Sequence, residues 1–486
     1  MRERSECVNA LARAPTKFQQ EGQTDMTVSA NALARDIETL IHPYTNLAAF
    51  RETGPLIIES GKGIYVYDTY GKAYIEGMAG LWCTSLGYGN QELIEAGCKQ
   101  LSTLASGHLF GGKSHDPAIE LAERLKEISP APASKIFFTS SGSEANDTQI
   151  KLAWYYNNAR GKPQKKKIIS RKRAYHGVTL ASASLTGLPN NHLDFDLPFS
   201  WTRHLTCPHF YREALPSETE ETFSTRLAHE LDTMIQLEGP DTVAAFIAEP
   251  VMGAGGVLVP PLGYFEKIQA VLDQYDIIFI ADEVICGFGR TGRMFGSQAF
   301  GLRPDTITMA KGLTSAYAPL GAITVSEDMY QAMLDESRKI GSFAHGFTYG
   351  GHPLSCAIGV KALDIYARDD IAGHVRSVAP IFQTRLKALA DHPLVGETRG
   401  VGLLGGVELV ADKVSRRPFS ARRGVPAKVA QLCEDEGLIL RATGETIAIC
   451  PPLIIQGGEI NTLFDCLERA LNKAESWVGE EKLRAA

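Results

Sequence analysis

The sequence has no run of apolar residues long enough to cross a bilayer, although 44% of its 486 residues are hydrophobic. It also lacks a large excess of charge: 49 Lys and Arg stand against 56 Asp and Glu, a net charge of -7. The first absence excludes a membrane-spanning helix, and the second gives no basic footprint for nucleic acid. We interpret short basic clusters at 165–167 and 171–173 as solvated surface. The composition therefore predicts a globular protein without a membrane or nucleic-acid partner.

Cysteine is scarce, and its spacing does not match that of metal ligands. The nine cysteines are an odd number and are scattered along the chain. Residues 1–28 contain basic and acidic residues but no apolar segment for secretion, so we expect a disordered N-terminal extension. A basic presequence and a natural start at Met26 are alternatives. Together these features predict a cytoplasmic protein with no disulfide and no metal.

The rest of the chain divides by pattern into three segments. Residues 29–90 contain three short alternating stretches typical of antiparallel strands. Residues 91–352 alternate strands with helices, which indicates a parallel sheet in a large α/β domain. Residues 353–486 begin with a long helix and continue as a smaller α+β region.

Two apolar strands in the large domain each end on a charge. The unbroken run 277–281 is typical of a strand buried on both faces, and Asp282 follows it. The run 306–310 is strand-like, and Lys311 follows it. Ligands of parallel α/β sheets bind beyond the carboxyl ends of the strands. Asp282 and Lys311 are therefore predicted to face one ligand.

This pair of charges suits one cofactor. A lone lysine would ordinarily pack its stem and extend its ammonium to water. A buried lysine instead shifts toward the neutral amine, the nucleophile that forms an imine with a carbonyl. Pyridoxal 5'-phosphate (PLP) takes an imine with a lysine at its aldehyde and a carboxylate at its ring nitrogen.

The segment 279–312 carries a resemblance to a known family. Its motifs ADEV (281–284), GFGRTG (287–292), PD (304–305) and MAKG (309–312) resemble the signature of class III PLP-dependent aminotransferases. The segment 77–83 resembles the one that lines the substrate pocket in ω-amino acid or amine:pyruvate aminotransferases (ω-transaminases). The resemblance implies PLP-dependent transferase fold type I, in which the smaller domain comes from both chain ends. It also implies that Lys311 and Asp282 are catalytic and bind PLP.

A hydroxyl-rich turn, Ser141-Gly142-Ser143, opens a predicted helix. Backbone N–H groups and the helix dipole make such a turn an anion site, although a simple N-cap is the ordinary alternative. The resemblance implies that these three residues bind the PLP phosphate.

The resemblance also implies roles for other residues at strand ends and in loops. Cofactor contacts are implied for Tyr175, His176, Glu249 and Val284. Phe347 and Thr348 are expected to reach the partner's cofactor in a homodimer or tetramer whose active sites lie at the interface. Substrate contacts are implied for Trp82, Tyr175 and Arg441. Packing in the core is the alternative for Trp82, and surface ion pairing is the alternative for Arg441.

The expected reaction is ping-pong transfer of an amino group from a primary amine to a keto acid, with pyruvate giving alanine. A PLP-dependent decarboxylase or aminomutase of the same fold is an alternative, and so is a PLP-binding protein without activity. Gly287, Gly289 and Gly292 form a G-x-G-x-x-G motif, the fingerprint of dinucleotide binding, so an NAD-dependent dehydrogenase is a further alternative. Five residues separate this motif from its strand and no helical period follows it, so we interpret these glycines as turn formers. The sequence does not select among ω-amino acids, diamines, taurine and aralkyl amines as donor.

Overall fold

A computed structural model describes residues 25–484, with side chains from residue 31. Most of the predicted N-terminal extension, 1–28, lies outside the described residues. The first helix begins at Asp25, because residues 25–39 continue the helical pattern that the sequence shows from Asn31.

The strands, in chain order, are β1 (Ile58–Lys62), β2 (Tyr65–Asp68), β3 (Ala73–Glu76), β4 (Lys135–Thr139), β5 (Lys167–Arg171), β6 (Thr202–Leu205), β7 (Val243–Ala248), β8 (Ile278–Asp282), β9 (Thr306–Met309), β10 (Gly321–Val325), β11 (Val395–Val401), β12 (Leu404–Leu409), β13 (Leu438–Ile439), β14 (Arg441–Thr443) and β15 (Thr446–Ile449). The helices are α1 (Asp25–Thr39), α2 (Leu47–Thr53), α3 (Ala79–Trp82), α4 (Gln91–Thr103), α5 (Asp116–Ile128), α6 (Gly142–Ala159), α7 (Leu180–Leu185), α8 (Phe210–Glu213), α9 (Glu220–Glu238), α10 (Tyr264–Gln274), α11 (Gly296–Phe300), α12 (Glu327–Ile340), α13 (Pro353–Arg368), α14 (Ile371–Ala388), α15 (Val425–Asp435) and α16 (Gly457–Glu480).

A seven-stranded sheet, in the order β4-β10-β9-β8-β7-β5-β6, forms the centre of the fold. Only β10 runs against its neighbours. Every residue of β7, β8 and β9 is buried, which explains why β7 is apolar throughout and β8 is apolar up to Asp282. The two threonines of β9, Thr306 and Thr308, are buried as well. In the register of β8 and β9, Asp282 lies opposite Thr308. The end of β8 therefore lies beside the end of β9, where Lys311 follows.

Two smaller sheets complete the fold. The sheet β1-β2-β3-β13 joins strands from both ends of the chain, since Leu438 pairs with Ile75 in parallel. The sheet β11-β12-β15-β14 is antiparallel. These sheets confirm the predicted α/β fold with an α+β part built from both chain ends. The domain boundaries at residues 91 and 353 stay a prediction.

Two further features bear on function. No helix among residues 25–484 is long and apolar enough to span a membrane. The segment 287–292 forms turns, with φ of 102° at Gly289 and 85° at Gly292, and the next helix begins only at Gly296. A dinucleotide-binding turn would open a helix directly after its strand. The geometry therefore argues against the dehydrogenase alternative.

Candidate active site

Asp282 lies at the end of β8, and its carboxylate is held by three donors. Oδ2 accepts hydrogen bonds from Nδ1 of His176 and Nδ2 of Asn146, both at 2.8 Å. Oδ1 accepts one from the backbone N–H of Val284 at 3.1 Å. Asn146 Nδ2 also donates to the His176 carbonyl at 2.7 Å, which ties the two partners together. The network fixes the orientation of the carboxylate within the protein.

Lys311 directly follows Ala310, at the end of β9. Its backbone is left-handed, with φ of 48°, a conformation that costs about 1 to 3 kcal/mol for a residue other than glycine. Burial lowers the pKa of the Lys311 amine, an effect that neighbouring Cys83 and Asp282 oppose but do not cancel. The residue as a whole is half-buried, and burial desolvates its amine. Such an amine can act as a nucleophile.

The hydroxyl-rich turn begins α6 beside these strand ends. Ser141 is the N-cap, and its Oγ accepts the Glu144 N–H at 3.2 Å. A Cβ on Gly142 would lie 3.1 Å from Val284 and 3.6 Å from Ala310, so this glycine allows close approach to both strand ends. The first N–H groups of a helix have no partner inside it. The turn therefore offers both the cap and an anion site.

Glu249, at the end of β7, links two backbone segments. Its Oε1 accepts the Tyr175 N–H at 3.0 Å, and its Oε2 accepts the Gly253 N–H at 2.9 Å. Burial raises the pKa of this carboxyl, although His176 opposes the shift. Glu249 thus positions the Tyr175 backbone, as a residue behind a cofactor would.

Glu283 follows Asp282 but turns away from it. Its carboxylate accepts hydrogen bonds from the backbone N–H groups of Gly296 and Ser297 and from the Ser297 hydroxyl. Full burial nevertheless raises the pKa of Glu283 to about 7. This carboxyl fixes the start of α11.

Arg441, on β14, lies beside two tyrosines. Its guanidinium carbon is 5.7 Å from the ring centroid of Tyr44. Burial raises the pKa of the Tyr175 hydroxyl. Tyr44 adds to this increase, and the positive charge of Arg441 opposes it. Within residues 31–484, Arg441 forms no ion pair with a carboxylate. The surface ion pair that the sequence left open is therefore absent from this part of the chain.

Trp82 packs in an apolar cluster behind the site. It is 3% exposed and has a φ of 65°, and the same cluster contains Val257, Ile285 and Cys450. Ile285 follows Val284, and the Cys450 and Lys311 side chains affect each other's pKa. Trp82 therefore packs in the core, the alternative given for it from the sequence. Its contact with substrate stays a prediction.

Phe347 and Thr348 lie in the irregular segment between α12 and α13. Phe347 packs edge-on against His345, with ring centroids 5.3 Å apart, and His345 in turn contacts Thr148 on α6. Thr348 is exposed. No described contact joins either residue to Asp282 or Lys311.

Comparison with known proteins identifies the family. The profile of the family described as "Aminotransferase class-III" matches residues 48–471. The chain belongs to the class III aminotransferases. A γ-aminobutyrate transaminase from Solanum lycopersicum, described as chloroplastic, is 49% identical over 444 residues, which cover 91% of this chain and 85% of that protein. A mitochondrial γ-aminobutyrate transaminase from Oryza sativa subsp. japonica is also 49% identical, with 91% and 86% coverage.

Solved structures agree with this assignment. The ω-transaminase from Pseudomonas jessenii in complex with PMP has a TM-score of 0.91 and 52% identity, covering 92% of this chain and 99% of that one. A thermostable ω-transaminase variant engineered for asymmetric synthesis of enantiopure bulky amines has a TM-score of 0.91 and 51% identity, with 92% and 100% coverage. Class III aminotransferases use PLP, so this aminotransferase is a PLP-dependent enzyme.

The donor set of this aminotransferase fits PLP. An amine of lowered pKa, an oriented carboxylate and a helix N-terminus lie together at one end of the central sheet. The sequence did not single out Asn146 or Tyr44. Asn146 follows the hydroxyl-rich turn, and its place on a buried helix face was the available signal. Tyr44 precedes the first strand by many residues, and no local pattern connects it with Arg441.

Proposed function

We propose that this enzyme is an ω-amine or ω-amino acid:pyruvate aminotransferase. The observation that carries the proposal is Arg441, a half-buried arginine beside Tyr175 that has no carboxylate partner within residues 31–484. A guanidinium fork suits the carboxylate of a keto acid. Tyr44 and Tyr175 beside Arg441 would also suit a donor without a carboxylate, once the arginine side chain moves aside.

The residues divide the work between cofactor and substrate. When bound, PLP supplies the electron sink for proton removal at the amine-bearing carbon. With the cofactor bound, Nζ of Lys311 would accept that proton and later release it, because its lowered pKa makes the neutral amine available. Asp282 would hold the cofactor ring nitrogen, and His176 and Asn146 fix its carboxylate.

The remaining assignments come from the family resemblance. Ser141, Gly142 and Ser143, at the start of α6, would hold the phosphate, and Tyr175 and Val284 would contact the ring. Glu249 would also line the cofactor site, and Trp82 would line the substrate site. The contacts of Glu249 with Tyr175 and the approach of Gly142 to Val284 support this arrangement.

We further propose a homodimer in which Phe347 and Thr348 complete the partner's phosphate site. Both belong to a loop with no described contact to its own Lys311. Phe110, shortly before α5, is 50% exposed, and Tyr349, shortly before α13, is 67% exposed. We place the enzyme in the cytoplasm, because the eight cysteines at positions 83–466 are free thiols. The plant relatives described as chloroplastic or mitochondrial make cell fractionation the test of this assignment.

The test of function is a donor panel with pyruvate as acceptor. γ-Aminobutyrate, a diamine, taurine and an aralkyl amine should each be scored by alanine formed. Incubation with amine alone should leave one pyridoxamine phosphate per site. Carbon dioxide or a rearranged amine in place of pyridoxamine phosphate would instead indicate a decarboxylase or an aminomutase.

A further inference from the structure

Arg399, on β11, clamps a backbone carbonyl of a distant loop. Its Nε and Nη2 both donate to the carbonyl oxygen of Gly256, at 2.9 and 2.7 Å. Nη2 also donates to the hydroxyl of Thr446 at 2.7 Å. The side chain is only 8% exposed. A planar guanidinium provides this pair of donors, whereas a lysine ammonium does not match the geometry.

Two carboxylates hold the guanidinium in place. Nη1 of Arg399 donates to Glu397 at 2.6 Å and to Glu408 at 2.7 Å. Glu408 also accepts from Arg212, and Glu397 is bonded to His209. His209, Glu397 and Glu408 bring their ligand atoms within 4.8 Å of one another, a spacing that a metal ion could use. Because two arginines already pair with the carboxylates, we interpret the cluster as an ion-pair network.

The clamped loop, residues 253–257, has an unusual backbone. Val257 has a φ of 55°, which is rare for a β-branched residue and persists only where the surroundings hold it. Gly256 has a φ of 117°, and a Cβ there would lie 3.0 Å from Nη2 of Arg399. The clamp therefore acts at the residue before the strained position.

Both ends of this loop reach the candidate active site. The Gly253 N–H bonds to Glu249, whose other oxygen bonds the Tyr175 N–H. Val257 is fully buried in the apolar cluster that contains Trp82. Displacement of the loop would therefore shift both Glu249, which positions the Tyr175 backbone, and Trp82.

We propose that Arg399 is a positioning residue that sets the shape of the amine-donor pocket through the carbonyl of Gly256. The donor pocket itself rests on the proposed function. The charge of Arg399 alone does not suffice, because the contact that matters is the pair of N–H donors on one carbonyl. Loss of this pair should loosen the 253–257 loop and, through it, Trp82.

The variant that isolates this contact is Arg399→Lys, which keeps the charge for Glu397 and Glu408. Arg212→Lys is the matched control, since Arg212 pairs with the same Glu408 but does not contact Gly256. Hydrogen exchange of the holoenzyme should show the amides of residues 253–257 at least about tenfold faster in Arg399→Lys and unchanged in Arg212→Lys. This measurement needs no turnover, so it tests the clamp even where the donor class is wrong.

Kinetics of the same variants then test positioning. Per bound PLP, Arg399→Lys should raise the KM of a small amine about tenfold, change kcat less, and weaken discrimination against bulky amines. Gly256→Ala, which crowds the same bond from the other side, should give the same pattern if Arg399→Lys does not fold. Wild-type exchange and donor kinetics in Arg399→Lys, or equal changes in Arg212→Lys, would overturn the proposal.

Discussion

The two sides of the candidate active site differ in how firmly they are held. Asp282 accepts three protein hydrogen bonds and lies within the central sheet. Arg441 lies on a short strand of a small sheet, is half-buried and contacts aromatic rings. A group that serves one cofactor throughout the cycle benefits from fixed geometry. A group that must accept a carboxylate in one step and an uncharged amine in another benefits from the absence of a fixed partner.

The largest expected effect is that of Lys311→Ala. The variant should lose multiple turnover entirely, since it lacks both the imine-forming amine and the proton carrier, yet should remain folded and bind PLP weakly. Alanine formation over hours, compared with a reaction without enzyme, is the measurement. Turnover above that background would reject the assignment of Lys311.

The next largest effect is expected for Asp282→Asn. The substitution keeps the size of the side chain but removes the charge that keeps the ring nitrogen protonated. The rate should fall by several orders of magnitude, while the absorbance of the imine with Lys311 should persist. Near-normal turnover would show that Asp282 serves only the structure.

A smaller and more selective effect is expected for Arg441→Ala. Each charge-assisted hydrogen bond is worth about 1.5 to 3 kcal/mol, so loss of a bidentate pair should raise the apparent KM for pyruvate by roughly two orders of magnitude or more. Steady-state kinetics with a saturating carboxylate-free amine measure this. An unchanged pyruvate KM would mean that another cation binds the acceptor.

The smallest effect concerns stability at the fixed side. The pKa of Glu283 is about 7 in the folded protein and about 4.5 when unfolded. A raised folded pKa contributes stability that is present below about pH 4.5 and lost as the pH rises through 7, at most about 3 kcal/mol. The Tm of the parent minus that of Glu283→Gln should therefore fall between pH 5 and pH 8. A difference independent of pH would contradict the assigned shift.

The sequence was most informative about the fixed side. The strands that lead to Glu249 and Asp282 are unbroken apolar runs, because both faces of these strands are buried. The strand before Lys311 is equally buried but contains two threonines. The observed strands begin and end within a residue or two of the predicted runs. Because ligands of parallel sheets bind beyond the carboxyl ends of the strands, the sequence alone predicts that these charges lie together.

The side of the site around Arg441 was harder to predict from the sequence. Tyr44 and Arg441 are brought together by tertiary packing across nearly the whole chain, and no periodicity encodes such a contact. The clamp of Arg399 on Gly256 likewise depends on a backbone carbonyl, which every residue has. The family resemblance supplied Arg441, whereas Tyr44, Asn146 and Arg399 required the structure.

The most direct test of the difference between the two sides is single-turnover kinetics of each half-reaction. The amine half starts from PLP enzyme and a carboxylate-free amine, and the acceptor half starts from pyridoxamine phosphate enzyme and pyruvate. We predict that Asp282→Asn slows both halves severely, while Arg441→Ala impairs the acceptor half by roughly two orders of magnitude at low pyruvate and leaves the amine half nearly unchanged. Equal losses in the two halves of Arg441→Ala would contradict the account.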